Sequence, residues 1–179
     1  MRKIIITESQ LKRLLKEDMS VKLDDSDPDE IVSSHENEGY WEWLHDDLNA
    51  LAKHFNAPLD YIKANLQKVL YAAKVYFKYD LKRVLVSDND KVVGFLVWSD
   101  QGTEIDNLGD GNNYPVVIAT AIAPEYRGRG LFNMMLKKSE IKKPFVVQLN
   151  ATSPMSFWGK FGCRVEKEFP NGNKVAKCG

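Results

Sequence analysis

One segment of the sequence combines residue types that suit the binding of a phosphate group. Arg127-Gly128-Arg129-Gly130 follows an apolar run and precedes a stretch of helical periodicity that begins at Leu131. A helix N-terminus attracts anions because its first backbone N–H groups have no partner within the helix. Glycines let the backbone approach a pyrophosphate, and arginines add positive charge. The pattern predicts a phosphate-bearing ligand here, with a plain Arg-Gly-rich helix start as the alternative.

The surroundings of this turn narrow the choice of ligand. The turn lacks the Gly-Lys-Ser/Thr ending of a nucleotide-binding P-loop. The sheet before it begins as an antiparallel hairpin instead of βαβ units, which argues against a dinucleotide-binding fold. Coenzyme A is the phosphate-bearing ligand that fits best.

The elements that position the turn follow from hydrophobic periodicity. Helical spacing begins near Gly39 and breaks near residue 56, and it returns from Asp60 to Tyr79. A polar tetrapeptide at 88–91 predicts a hairpin, and the apolar run 116–123 predicts a central strand buried on both faces. The remaining predicted elements are strands at 83–87, 92–99, 145–149, 164–169 and 173–177, helices at 131–141 and 156–161, and a polar loop at 100–114.

The N-terminal part differs in composition from the rest. Thr7-Glu8-Ser9-Gln10 has the spacing of a capping box and predicts a helix over residues 8–17. Residues 17–38 contain nine acidic side chains and one lysine, Lys22, which is typical of a solvated linker. We therefore divide the chain into an N-terminal helix with an acidic linker, 1–38, and a folded domain, 39–179.

Composition excludes several classes of function. The 179 residues carry 25 basic and 25 acidic side chains, so no overall charge attracts nucleic acid. No apolar run approaches the roughly 20 residues that cross a bilayer, so we expect no membrane association. Cys163 and Cys178 lack a paired CxxC spacing, which favours two separate thiols in a reducing, cytoplasmic compartment and no metal site.

The segment 124–130, Pro-Glu-Tyr-Arg-Gly-Arg-Gly, resembles motif A of the GNAT superfamily of N-acetyltransferases, Gln/Arg-x-x-Gly-x-Gly/Ala. Arg127 and Gly130 match this motif, whereas Phe132 occupies its final small position. The family's motif A binds the pyrophosphate of coenzyme A. The resemblance, which covers about residues 81–178, therefore implies the same ligand as the turn itself.

A second resemblance lies downstream. The segment 157–163, Phe-Trp-Gly-Lys-Phe-Gly-Cys, is similar to GNAT motif B, which ends in Tyr-x-x-x-Gly-Phe. Trp158 stands where many family members have a tyrosine that protonates the leaving thiolate, and its indole has no dissociable proton near neutral pH. Cys163 replaces the phenylalanine, and we interpret it as a buried structural thiol instead of a nucleophile.

The resemblance implies an α/β fold: a GNAT-like mixed, mostly antiparallel central sheet flanked by helices, with an N-terminal helical appendage. It implies acetyl-coenzyme A as co-substrate, with backbone N–H groups near Ile122 and Ala123 at the thioester and those from Arg127 through Phe132 at the pyrophosphate. The expected cofactor-binding residues are Ala121, Ile122, Ala123, Arg127, Gly128, Arg129, Gly130, Leu131, Phe132, Asn150 and Trp158.

The sequence does not single out a general base. The predicted central strand has no acidic residue, so Glu104, Asp106 and Asp110 of the preceding loop are candidates together with Asn150. We interpret each acidic residue as a solvated loop residue, with the catalytic role as the alternative. We interpret His45 as an ordinary helix-surface histidine, with a place on the substrate side as the alternative.

Two functions from different classes follow. The first is an N-acetyltransferase that moves an acetyl group to a primary amine of a small molecule or protein by direct attack. The second is a catalytically weak or inactive GNAT-fold protein that binds coenzyme A or a partner, with a phage as one conceivable source. The N-terminus resembles leaders of tailed-phage proteins, with Leu15-Lys16-Glu17 similar to prohead protease sites, or it is a strand and helix docked on the domain. The sequence indicates neither the amine acceptor nor the oligomeric state.

Overall fold

A computed structural model describes residues 19–23, 40–55, 57–77, 80–103 and 106–179. Seven strands form one sheet in the order β1-β2-β3-β4-β5-β7-β6. All neighbouring strands are antiparallel except β4 and β5, which are parallel, and this confirms the predicted mixed, mostly antiparallel sheet. The strands are β1 Met19–Leu23, β2 Leu81–Asp88, β3 Lys91–Ser99, β4 Val116–Ile122, β5 Phe145–Leu149, β6 Cys163–Glu168 and β7 Lys174–Cys178.

Helices cover both faces of this sheet. The described helices are α1 Tyr40–Ala52, α2 Leu59–Phe77, α3 Leu131–Ser139 and the single turn α4 Met155–Trp158. Leu48 of α1 and Leu66 of α2 pack with Phe95 of β3 in one buried cluster. Met135 of α3 packs with Leu96 of β3 in a second cluster on the opposite face. Adjacent residues of β3 thus face different cores, as strand alternation requires.

The β2–β3 hairpin confirms the turn that was predicted at residues 88–91. Asp88 pairs with Lys91, so the turn consists of Asn89 and Asp90. Both have positive φ, 48° and 60°. Two-residue hairpin turns of type I′ require this conformation, and asparagine and aspartate adopt it more readily than most residues.

The predicted linker at 17–38 needs correction at one point. Residues 19–23 form the edge strand β1, which pairs antiparallel with β2 from Met19↔Asp88 to Leu23↔Val84. The sequence Met-Ser-Val-Lys-Leu alternates apolar and polar residues, which is a strand pattern, but the acidic residues around it dominate the composition. The predicted helix at 8–17, the prohead-protease-like segment and most of the linker lie outside the described residues. The division of the chain at residue 38 stays a prediction.

The expectation of two separate thiols is wrong. Cys163 and Cys178 are buried and joined by a disulfide. They lie 15 residues apart in sequence, yet the antiparallel register of β6 and β7 places them directly opposite each other. That register cannot be deduced from the spacing of two cysteines. The bond also removes the argument for a reducing compartment that was based on separate thiols.

No helix within the described residues is long and apolar enough to cross a membrane. In the same part of the chain, no three His, Cys, Asp or Glu side chains are grouped so that they could hold a metal ion.

Candidate functional site

A cleft opens in the sheet where β4 and β5 stop pairing. The two parallel strands share only two register pairs, Val116↔Val146 and Val117↔Val147. Beyond Val117, the backbone groups of β4 that would bond to β5 face the gap instead. The first three residues of β4 are buried and the last four are half-buried, which corrects the predicted burial of the whole strand.

A β-bulge in β4 explains why the strands separate there. Val97 pairs with Ala119 whereas Trp98 pairs with Val117, so Ile118 is an extra residue in β4. A bulge bends its strand and increases the local twist. The bend begins at the residue where pairing with β5 ends. The resulting cleft has a volume of about 720 Å³.

Every helix of the described chain except α2 contributes to the walls of this cleft. β4 contributes residues 117–122, β5 contributes Gln148 and Leu149, and Asn150 follows β5 directly. Residues of α1 and of the turn before α3 also line it. The remaining lining comes from α3, from α4 and from the segments on either side of α4: Leu131, Phe132, Asn133, Ser153, Pro154, Phe157, Trp158 and Phe161.

Three residues of the predicted phosphate-binding turn line the cleft: Arg127, Gly128 and Gly130. Gly130 is the N-cap of α3, with φ 79° and ψ 10°, and it offers no side-chain cap to the helix. The first N–H groups of α3 therefore have no cap from their own segment and remain suited to an anion. Gly128 has φ 76°, and a β-carbon at Gly128 would meet nothing within 4 Å. The turn thus needs glycine for its backbone conformation and is open on the cleft side.

The set of backbone donors is smaller than the resemblance implies. The N–H of Ala123 donates to Val93 O at 2.8 Å, and the N–H of Arg127 donates to Pro124 O at 3.2 Å. Both donors are thus used within the fold, and Ala123 is buried and does not line the cleft. We therefore correct the expected donor set by removing these two N–H groups, although the half-buried end of β4 still borders the gap.

The two arginines of the turn occupy different positions. Arg127 lines the cleft, and its Nε donates to the carbonyl oxygen of Ile122 at 3.0 Å. The Arg129 guanidinium lies 4.9 Å from the centre of the Tyr126 ring, and Arg129 is not part of the cleft lining. The sequence assigns both arginines the same role, and of the two Arg127 is the one that lines the cleft.

A hydrogen bond joins this turn to the β2–β3 hairpin. The Tyr126 hydroxyl donates to Asp88 Oδ2 at 2.5 Å. This bond to the carboxylate is the main cause that raises the pKa of Tyr126 above its ordinary value. Tyr126 is the last residue of the 3-10 turn Pro124–Tyr126, and residues 127–130 follow it directly. The bond therefore fixes the start of the turn at residues 127–130 to the sheet.

Comparison with solved structures identifies the fold. An acetyltransferase from Thermus thermophilus is similar over 88% of this chain and 96% of its own, with a TM-score of 0.53 and 13% identity. PH1933 from Pyrococcus horikoshii is similar over 89% of this chain and 99% of its own, with a TM-score of 0.50 and 12% identity. The chain has a GNAT-like fold. No protein-family model matches the chain, and no curated protein matches it.

Phe132 and Trp158, which both depart from the GNAT motifs, contact each other in this GNAT-like fold. Phe132 is 4% exposed, and its ring lies edge-on to Trp158 at 5.4 Å between centroids. Phe157 and Phe161 lie 5.2 and 4.7 Å from the same phenylalanine. Edge-to-face pairs at such distances add stability beyond the burial of their area. The bulky side chain at the end of motif A therefore packs into an aromatic wall built with motif B.

The acidic candidates have different surroundings. Asp106 is 3% exposed and accepts bonds from the Thr103 N–H at 2.9 Å and from Gln148 Nε2 at 2.7 Å. Asp110 accepts bonds from the Tyr114 hydroxyl and Lys177 and is not part of the cleft lining. These bonds lower the pKa of Asp110, with the Tyr114 hydroxyl as the main cause. Glu104 lies outside the described residues.

Asn150 lies in the cleft at the end of β5 and also stabilises the chain after it. Its Oδ1 accepts bonds from the Thr152 N–H at 3.2 Å and from the Ser153 hydroxyl at 2.8 Å. An asparagine that bonds to the backbone two residues on forms a local turn. Its side-chain oxygen is therefore committed to the loop between β5 and α4.

His45 is buried, so its interpretation as a helix-surface residue is wrong. It is 7% exposed, lines the cleft, and lies with Nε2 3.3 Å from Gln148 Oε1. Sequence reasoning missed Gln148 and Asn49, which also line the cleft. The available signal for Gln148 is a lone amide in the apolar strand Phe-Val-Val-Gln-Leu. A buried amide in such a strand requires a polar partner.

Proposed function

We propose that this protein binds acetyl-coenzyme A in the cleft between β4 and β5 and transfers its acetyl group to a primary amine. The observation that carries the proposal is the cleft itself. It extends from a strand edge with unused backbone groups to a helix N-terminus that presents N–H groups and an arginine. A thioester and a pyrophosphate need these two kinds of site in one cleft.

The residues of the cleft suit the parts of this substrate. N–H groups of the segment 128–132 and the positive charge of Arg127 suit the pyrophosphate. The edge of β4 beyond Val117 suits the pantetheine amides, and an N–H of that edge suits the thioester oxygen, where negative charge develops during attack. The aromatic wall of Phe132, Phe157 and Phe161 excludes water from one side.

The reaction requires no covalent intermediate with the protein. The neutral amine nitrogen attacks the carbonyl carbon of the thioester, and a carbon–nitrogen bond forms. The carbon–sulfur bond then breaks, and the coenzyme A thiolate leaves with the electron pair. The nitrogen loses one proton, and the thiolate gains one from solvent. The protein contributes mainly the alignment of the two reactants and the polarisation of the carbonyl.

A protein that binds coenzyme A without turnover is the second candidate. Trp158 supports it, because this side chain stands in place of the usual acid and is buried in the aromatic wall. Its indole supplies no proton to the leaving thiolate. A cytoplasmic location is also part of the proposal, and imaging of a fluorescent fusion in the native host would test it.

Release of free thiol from acetyl-coenzyme A in the presence of a panel of amines tests the proposal. We expect turnover with at least one amine in the wild type. Arg127→Ala should raise the KM for acetyl-coenzyme A by about tenfold to a hundredfold, the loss of one charge-assisted bond of about 1.5–3 kcal/mol.

Arg129→Ala is the matched control for this variant. It removes the same charge from the same turn, but Arg129 lies over Tyr126 and not in the cleft lining. Its KM should change by less than threefold. Tight binding of acetyl-coenzyme A with no thiol release from any amine would favour the second candidate. Equal effects of both arginine variants would contradict the position assigned to the pyrophosphate.

A further inference from the structure

We propose that His45 accepts the proton that the attacking amine releases, and that Gln148 and Asp106 hold its ring for this purpose. The inference rests on the proposed acyl transfer and names the base that the sequence leaves open. It starts from a hydrogen-bonded chain that joins three separate elements: α1, β5 and the loop between β3 and β4.

The periodicity of α1 explains how His45 reaches the cleft. Leu44, Leu48 and Leu51 form one stripe of the helix and are buried in the core beneath the sheet. The stripe one residue later consists of His45, Asn49 and Ala52, at the same spacing of four and three, and all three line the cleft. Residues with this spacing share one helical face. Burial of the leucine stripe therefore aims the histidine stripe at the gap between β4 and β5.

The hydrogen bonds define the tautomer of His45. A carboxylate only accepts hydrogen bonds, so the atom of Gln148 that lies 2.7 Å from Asp106 Oδ1 must be the amide nitrogen. The amide oxygen then points to His45 Nε2 at 3.3 Å and can only accept. His45 Nε2 therefore donates to this oxygen when the ring is neutral.

The three side chains of this hydrogen-bonded chain are buried, which distinguishes a positioning arrangement from a surface contact. His45, Gln148 and Asp106 are each less than a tenth exposed. A hydrogen bond to a buried carboxylate is stronger than one between neutral groups, so Asp106 fixes the orientation of the Gln148 amide. The amide transmits this orientation to the imidazole. We regard Gln148 and Asp106 as positioning residues, since the amide stands between the carboxylate and the ring.

Among the residues that line the cleft in the described part of the chain, Arg127 is the one arginine, and no lysine, aspartate or glutamate lines it. The carboxylate of Asp106 accepts a hydrogen bond from Gln148, which in turn contacts His45. β4 presents only neutral residues there, including Thr120, and α1 adds the amide of Asn49. Histidine is the side chain whose ordinary pKa suits a general base near neutral pH.

The proton step completes the balance of the reaction. The attacking nitrogen becomes positively charged when its bond to the carbonyl carbon forms. The His45 imidazole takes one proton from this nitrogen, directly or through one water molecule, and becomes an imidazolium. The imidazolium returns the proton to solvent after the coenzyme A thiolate leaves. No oxidant or further reactant is needed.

Replacement of His45 tests this role. In His45→Gln, kcat should fall by about a hundredfold to ten-thousandfold, the usual contribution of a general base. The Kd for acetyl-coenzyme A should stay within twofold. His54→Gln is the matched control, because His54 is exposed just beyond α1, contacts the ring of Tyr61 and does not line the cleft. Its kcat should equal that of the wild type.

Two further readouts separate a base from a structural residue. Imidazole in the buffer should restore part of the activity of His45→Ala. In Gln148→Glu, the new carboxylate beside the ring favours the imidazolium, so the lower pKa of the kcat/KM profile should move upward. The base assignment would be overturned if His45→Gln kept activity within twofold of the wild type. It would also be overturned if imidazole restored no activity to His45→Ala and the pH profile of Gln148→Glu did not move. Either result would leave the proposed function standing. A wild type that releases no thiol with any amine would overturn the proposed function, and this inference with it.

Discussion

The hydrogen bond between Tyr126 and Asp88 connects stability to ligand binding, and Tyr126→Phe isolates it. This change removes one hydroxyl and keeps the ring on which Arg129 lies. A hydrogen bond to a charged group contributes about 1.5–3 kcal/mol. Because Tyr126 and Asp88 are both only half-buried, we expect the lower end, about 1.5 kcal/mol. In a chain of this size that lowers Tm by about 3–6 °C.

The pH dependence of this bond has a defined sign. Asp88 raises the pKa of Tyr126 in the folded protein, so the protonated hydroxyl is favoured there. Its contribution is fully present below the unfolded pKa of about 10 and is lost as the pH rises through the folded pKa. In urea unfolding, the gap in free energy of unfolding between wild type and Tyr126→Phe should be constant from pH 7 to 9. The gap should shrink above about pH 10.

The same variant should weaken acetyl-coenzyme A binding by up to about tenfold, equivalent to 1.4 kcal/mol, since the turn that follows Tyr126 loses its tie to the sheet. Tyr114→Phe is the matched control. Its hydroxyl also donates to a carboxylate, that of Asp110, at 2.5 Å, but Tyr114 is not part of the cleft lining. Equal stability of Tyr126→Phe and wild type, or equal loss of binding in both variants, would refute the reasoning.

Two further predictions concern the C-terminal half of the chain. Replacing Cys163 and Cys178 together by serine should lower the free energy of unfolding by about 3 kcal/mol, the loop-closure value for 15 residues; urea unfolding measures it, and an unchanged midpoint would contradict it. Asp110→Asn should abolish the stability that comes from the lowered pKa of Asp110. The free energy of unfolding of the wild type should therefore exceed that of the variant above the unfolded pKa of about 4. The two values should converge as the pH falls through the folded pKa. If the two proteins still differed in free energy of unfolding in strong acid, the charge of Asp110 would not be the cause of the difference.

Local signals in the sequence were sufficient for most elements of the fold. The β2–β3 hairpin follows from Asn89 and Asp90 between two apolar runs, and the glycine turn follows from Gly128 and Gly130 before a helical pattern. Each of these features depends on neighbours within a few residues. β1 was missed because five alternating residues lie within an acidic segment whose composition favours a linker.

The features that were not predicted depend on contacts between distant residues. Ile118 carries no mark of a β-bulge, since a valine or leucine would suit the same run, and the bulge appears only in the pairing with β3. His45 and Gln148 are 103 residues apart, so their contact depends on how α1 packs on β5. The disulfide likewise requires the register of β6 and β7. Sequence patterns report local conformation well and long-range partners poorly.

The most direct test of the central claim is isothermal titration of acetyl-coenzyme A into the wild type, Gly128→Glu and Gly111→Glu. Both glycines have φ 76°, and an added β-carbon would meet nothing within 4 Å at either, so the two variants carry the same strain and charge. Only Gly128 lines the cleft. We predict that the wild type and Gly111→Glu bind equally. Gly128→Glu should bind at least about tenfold more weakly, because two like charges about 4 Å apart near a surface repel by about 4 kcal/mol. Absence of binding to the wild type, or equal affinity of all three proteins, would contradict the claim that this cleft holds acetyl-coenzyme A.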